Sequence, residues 1–453
     1  MRTIKMIAIK RLLISGSMLF GVLNAFAGIP IQQWTLPNGA QINLVESHAI
    51  PMVDIQIDFD AGSRRDPAHQ AGLANVTAGM AGKGLTGKNK FGKSLPPMDE
   101  NALGEAWADL GASFGASAGS DRMSFSLRSL TDADLLGKAL ALAGSQMAEP
   151  AFPQAVWQRE RQRLIASLAE SDRRPATLAG KEFAKAIYGQ HPYGQEMTAA
   201  SLNAISVADM QTLYQRHVLP CHAKVSVVGD LNRVQAEEAA LELLAGLPSA
   251  PGQCAARPAV GDVNALTEAK NINLPFDSAQ AHVLIGQPGF KRNDPDFFAL
   301  TVGNYILGGG GFVSRLTTEV REKRGLSYSV YSYFSPGLHA GAFTVGLQTR
   351  PDQAQQAVSV AKQVVADFVA NGPTADELQA AKDNLIGGFA LLIDTNRKLL
   401  GNVANIAWNG LPLNYLDTWT QQVERVSVDD IKAAFARKLQ PDRMVTVIVG
   451  AKP

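Results

Sequence analysis

Arg321 and Tyr328 are the two residues whose types and spacing suggest chemistry on an oxygen atom. A guanidinium beside a phenol can hold a carbonyl oxygen while negative charge develops on it. Both lie in the stretch GGGGFVSRLTTEVREKRGLSYSVYSY, from Gly308 to Tyr333. Its four leading glycines, Gly308, Gly309, Gly310 and Gly311, form a backbone that tolerates positive φ and can approach another chain closely. A short helix is expected next, because Val313, Leu316 and Val320 repeat at helical spacing while Arg315, Glu319 and Glu322 face away. Gly325 should end it. Leu326, Tyr328 and Val330 alternate with Ser327, Ser329 and Tyr331, the pattern of a strand with one buried face. The helix-to-strand turn would bring Arg321, in the last helical turn, to Tyr328, just inside the strand. The plainer reading of the same residues is an arginine on a solvated helix end and a tyrosine in a strand.

The elements that must position this pair belong to a chain of 453 residues, too long for one compact core. It is 46% hydrophobic and 18% charged, as a soluble globular protein should be. Residues 1–27 read as a secretory signal: basic Arg2, Lys5, Lys10 and Arg11, an apolar core from Leu12 to Phe26, and Ala25-Phe26-Ala27 before the cut. A membrane anchor is disfavoured because the apolar run is short and broken by Ser15 and Ser17, so an exported, periplasmic protein without stable membrane insertion is expected. Cleavage would remove four basic residues and no acidic ones, taking the formal charge from +1 to −3. No basic stripe then points to nucleic acid. Cys221 and Cys254 either form a disulfide or remain two inert thiols, the preferred reading, since sequence spacing does not show that they meet.

Gly87 to Ser94 satisfies the phosphate-loop pattern GxxxxGK[ST], but glycine-rich sequence precedes it and Pro96-Pro97 follow, where that loop needs a strand and a helix. A solvated lysine-rich loop is the better reading. Strands are expected on either side of Pro37-Asn38-Gly39 and at Met52 to Phe59, and a hairpin around Gly119-Ser120-Asp121. Asp99 should cap a helix ending at Gly111, and a long helix should cover Gln154 to Ser171. Residues 247–267, rich in Pro, Gly and Ala, read as a linker. Ser206 to Gly229 aligns without gaps with Ser427 to Gly450, pairing Ser206 with Ser427, Asp209 with Asp430 and Gly229 with Gly450. A repeat of that length argues for duplicated domains, each with several strands covered by longer helices.

The glycine loop, the Arg seven residues before a Tyr, and Tyr188-Gly189-Gln190-His191-Pro192-Tyr193-Gly194 resemble the M16 metallopeptidases of insulinase and mitochondrial-processing-peptidase type. The resemblance covers essentially the whole mature chain. It implies an α+β fold of two homologous domains, each a mixed, largely antiparallel sheet with helices packed on one face. The expected bounds are 28–248 and 268–453, with a linker at 249–267. Family members carry His-x-x-Glu-His on a helix here aligned with Gly72 to Met80, two histidines binding Zn²⁺ and the Glu activating water. Those three places hold Asn75, Ala78 and Gly79, and none can serve. The third ligand, a Glu, would fall on the Gln154–Glu170 helix, where Glu160 and Glu170 lie. No catalytic zinc is therefore expected in this chain.

Two such chains commonly face one another around a chamber in this family. The resemblance thus implies a non-zinc subunit of an exported heterodimer. Its zinc-bearing partner would supply the metal and the general base, and Arg321 and Tyr328 would hold the scissile carbonyl. Gly308 to Gly311 would help to position an extended peptide. The alternatives are a structural homologue without proteolysis and a peptide-binding homodimer. An independent enzyme with another nucleophile has no supporting constellation.

Overall fold

The computed structural model describes residues 28–87, 96–248, 254–255 and 257–451. The expected signal segment and nearly all of the phosphate-loop-like motif lie outside the described residues. In the first half, β1 (Gln32–Thr35) and β2 (Gln41–Glu46) flank a turn in which Gly39 takes φ 92°, and β3 (Met52–Phe59) follows. The two-residue strands β4 (Gly84–Leu85) and β5 (Met98–Asp99) pair with each other. Then come β6 (Ser113–Ala118), β7 (Met123–Leu130) and β8 (Lys224–Gly229). The sheet order is β1-β2-β8-β3-β7-β6, with only β2 and β8 parallel.

The second half has β9 (Lys270–Leu274), β10 (Ala281–Pro288), β11 (Ser329–Phe334), β12 (Ala342–Thr349) and β13 (Val445–Val449). Their order is β11-β12-β10-β13-β9, with only β9 and β13 parallel. Apart from the extra edge strand β1, this is the arrangement of the first sheet. The repeated sequence unit is the reason for part of the match: Ser206 and Ser427 each cap a helix in a reciprocal box with Asp209 and Asp430, and each helix leads into the parallel-paired strand, β8 or β13.

Both sheets are covered twice. Alternate residues of the first sheet, among them Leu44, Ile55, Ile57 and Val227, face a core shared with the half's own helices. Val45 and Val228 point the opposite way, against Leu399, Val403 and Ile406 of helix Asn396–Asn409, which belongs to the second half in sequence. Reciprocally, helix Pro175–Tyr188 from the first half lays Ala179, Phe183 and Ile187 on Val445, Val447 and Val449. Burial on both faces is why β8 and β13 carry apolar side chains on both sides, as at Val227 and Val228 and at Val447 and Ile448, instead of a clean apolar–polar alternation. Each fully buried Leu, Ile, Val or Phe in these contacts contributes about 1.5–3 kcal/mol, so the exchanged helices bind the halves firmly. The helix Pro175–Tyr188 was not expected from the sequence, nor were helix Arg233–Leu244, helix Tyr415–Arg425 and β9.

The link between the halves is tied down. Cys221 and Cys254 form a disulfide with Cα atoms 5.9 Å apart, which corrects the preference for two free thiols. Arg257 donates to the Asp60 and His217 carbonyl oxygens and contacts His217 Nδ1. The His191-Pro192-Tyr193-Gly194 segment is a structural turn: Tyr193 Oη donates to Asp121 at 2.6 Å and accepts from the His339 amide at 3.2 Å, spanning the two halves. Among the described residues no helix is long and apolar enough to cross a membrane.

Candidate functional site

The glycine-rich stretch is not the plain helix its spacing predicts. Helix Phe297–Asn304 runs into a wider π-helical turn, Tyr305–Gly309, and a second π-helical segment, Thr317–Glu322, follows the 3₁₀ turn Gly311–Val313. Such widened turns recur at functional sites. Close packing on β11 explains the first of them: a Cβ on Gly308 would stand 2.4 Å from Ser332 Oγ and 2.5 Å from its amide nitrogen. Asn304 and Ser332 lock this contact, the Asn304 amide donating to Ser332 O at 3.1 Å and Ser332 Oγ to Asn304 Oδ1 at 2.8 Å. Gly311 takes φ 61°, which lets the chain turn without Cβ strain.

Leu316 and Val320 are buried as expected, but Val313 is 72% exposed, because the 3₁₀ turn rotates it off the helical face. Gly325 ends the segment at φ 61° with its amide on Arg321 O. The strand begins at Ser329 rather than before Tyr328. Ser327 is buried, donating to Gln348 O and Ser329 O, and Tyr328 turns outward at 84% exposure. The expected alternation therefore starts late, and Tyr328 lies on the open side of the chain.

That displacement places Tyr328 with Arg321 at one cavity of about 250 Å³, which Gly308, Gly309, Gly311 and Phe312 also line. Among the described residues Arg321 has no carboxylate partner, unlike the cations around it. Arg315 is forked onto Glu377 at 2.7 and 2.6 Å, and Lys323 and Arg324 share Glu319 at 2.7 and 2.5 Å. The Arg321 guanidinium instead faces the Phe312 ring, 4.7 Å from its centroid. Phe312 escaped the sequence reading. Its signal was an apolar residue between a turn glycine and a buried serine, where neither helical nor strand periodicity accounts for it.

The equivalent region of the first half is the helix Leu73–Met80. The Asp66 carboxylate accepts from the amides of Gly72 at 2.9 Å and Ala74 at 3.0 Å, holding the helix start. Asn75 and Gly79 are exposed one helical turn apart and line a cavity of about 370 Å³ together with Glu160, Lys83 and Arg163. Ala78 instead packs into the first core, 2% exposed. Asn75 Nδ2 donates to Ala118 O, at the end of edge strand β6. Glu160 accepts from Arg163 at 2.8 Å and Arg159 at 3.2 Å. Burial pushes its carboxyl upward in pKa, but these hydrogen bonds outweigh it and hold the group below the ordinary range. Glu170 lies apart, 4.0 Å from Arg173. Two guanidinium groups thus occupy Glu160, one of the two carboxylates on the helix where the resemblance places a third ligand. Among the described residues no three His, Cys, Asp or Glu side chains converge to bind a metal ion.

Comparisons with known proteins agree with this geometry. A model described as "Insulinase (Peptidase family M16)" matches residues 42–201, and one described as "Peptidase M16 inactive domain" matches residues 204–385. The crystal structure of a peptidase M16 inactive domain from Pseudomonas fluorescens superposes with a TM-score of 0.85 at 34% identity, covering 93% of this chain and 98% of that one. A "non-peptidase homolog YmxG" from Helicobacter pylori is 26% identical over 443 residues, 95% of this chain and 97% of that protein. An uncharacterized zinc protease of Streptomyces coelicolor is 29% identical over 304 residues, 65% of this chain, and the match spans only 62% of that protein.

Proposed function

This chain belongs to the M16 peptidase family as an inactive-type homologue, and from that premise we propose that it is the zinc-free subunit of an exported heterodimeric peptidase. The metal and the water-activating carboxylate would come from the partner. Arg321 would donate to the oxygen of the scissile carbonyl and Tyr328 would hydrogen-bond the same oxygen as charge builds. The loop Gly308–Gly311 would let the peptide backbone approach without side-chain interference.

The observation that carries this reading is Arg321 at an open cavity with no carboxylate partner among the described residues. Holding a guanidinium without a counter-charge forfeits stabilisation that its three neighbours obtain from Glu319 and Glu377. An incoming oxyanion would supply the missing partner. Export is supported by the Cys221–Cys254 disulfide, since such bonds persist in oxidising compartments.

The test is to purify the chain alone and mixed with a zinc-motif M16 subunit from its genomic neighbourhood, then assay peptide cleavage. The lone chain should be inert and zinc-free, and the mixture active. A partner equally active without this chain would end the proposal and leave a structural or peptide-binding homologue.

A further inference from the structure

We infer that Phe312 is the positioning residue for Arg321, orienting its guanidinium over the cavity while leaving its N–H groups free. Arg315, Lys323 and Arg324 are oriented by carboxylates, and that same contact takes up part of their N–H donors. Among the described residues Arg321 has only the Phe312 ring face, 4.7 Å from centroid to guanidinium carbon. An aromatic face attracts a cation through its quadrupole without taking up the in-plane N–H donors. The cation is thus held in place and stays available to an oxygen ligand.

The ring's own position is set by the backbone. Gly311 at φ 61° starts the turn Gly311–Val313, and the buried Ser314 closes it by donating from Oγ to Gly311 O at 2.8 Å. Ser314 Oγ also lies 3.0 Å from Thr317 Oγ1, joining the turn to the π-helical segment that carries Arg321. Phe312 is 67% exposed, so burial does not explain its place. A carboxylate there would neutralise Arg321, and an aliphatic side chain would not attract it.

The kinetic arm of the test rests on the Arg321 role proposed above; the spectroscopic arm does not. In the reconstituted heterodimer, Phe312→Leu should lower kcat roughly two- to fivefold, the rate equivalent of an exposed cation–π contact, with KM little changed. Phe312→Trp should restore the rate, and Phe312→Leu should add nothing in an Arg321→Ala background. In the lone chain labelled on arginine, one ring-current-shifted resonance should vanish in Arg321→Ala, lose its shift in Phe312→Leu and keep it in Phe312→Trp. An Arg321 resonance unmoved by Phe312→Leu overturns the inference, as does an equal rate loss in the Arg321→Ala background. If Arg321→Ala leaves the rate intact while its resonance still follows the ring, positioning stands and the transition-state role falls.

Discussion

The helix Leu73–Met80 and the stretch from Phe297 to Tyr328 occupy equivalent places in the two halves, after β3 and β10, yet they have diverged in opposite ways. The first keeps a regular helix and an open cavity but has side chains without metal-binding capacity, and its nearby Glu160 is held by arginines. The second departs from regular helix, with two π-helical turns and a glycine stretch pressed onto β11, and it keeps a cation without a counter-charge. In the first half a regular helix carries side chains that cannot bind metal. In the other, the placing of Arg321 and Tyr328 at one cavity goes with backbone irregularity, which demands glycine where Ser332 comes closest.

If only side chains separate the first region from a metal site, restoring them should restore metal. Asn75→His, Ala78→Glu and Gly79→His, combined with Arg163→Ala to free Glu160, should yield about one zinc per chain on metal analysis after dialysis. A zinc-free variant would mean that the helix framework, and not only its side chains, has drifted.

The second region should show its largest effect in catalysis. In the heterodimer, Arg321→Ala is expected to lower kcat roughly a hundredfold or more, as loss of an oxyanion donor does elsewhere. Tyr328→Phe should cost less, because the ring remains. Loss in KM alone would make both residues ground-state binders and remove the contrast in chemistry between the halves.

Gly308→Ala should destabilise the fold by about 1–3 kcal/mol, because the new methyl group meets Ser332 backbone and side chain. Gly79→Ala should be close to neutral or slightly stabilising, since nothing lies within 4 Å of its Cβ position and alanine favours helix. Denaturant titration of the two variants compares the regions directly; equal midpoints would contradict the backbone argument.

The smallest effect concerns the junction between the halves. Burial, reinforced by the Arg257 charge, pushes the His217 pKa down to about 4. The unfolded imidazole titrates near 6.5, so between these values the unfolded chain binds a proton that the native chain does not. The stability this neutral group provides is complete above about pH 6.5 and is lost as pH falls toward 4. His217→Gln should flatten the fall in melting temperature between pH 7 and 5; an unchanged slope would assign it to other groups.

What the sequence determined by itself was chiefly local or repeated. Asn75, Ala78 and Gly79 ruled out a zinc motif because ligand chemistry resides in side-chain identity. The capping boxes of Ser206 and Ser427, read as one repeated unit, announced the duplication because caps act within a single turn. The Arg321–Tyr328 spacing named the pair, although the strand was expected to start too early. Tertiary structure alone decided the rest. The helix Pro175–Tyr188 packs on the other half's sheet, a partner no local pattern specifies. Cys221 and Cys254 meet only because the linker folds back onto the first half. Among the described residues Arg321 has no carboxylate partner because Glu319 and Glu377 reach its neighbours instead. Charge pairing depends on distance in space, and four closely spaced cations in sequence do not reveal which of them the fold will leave free.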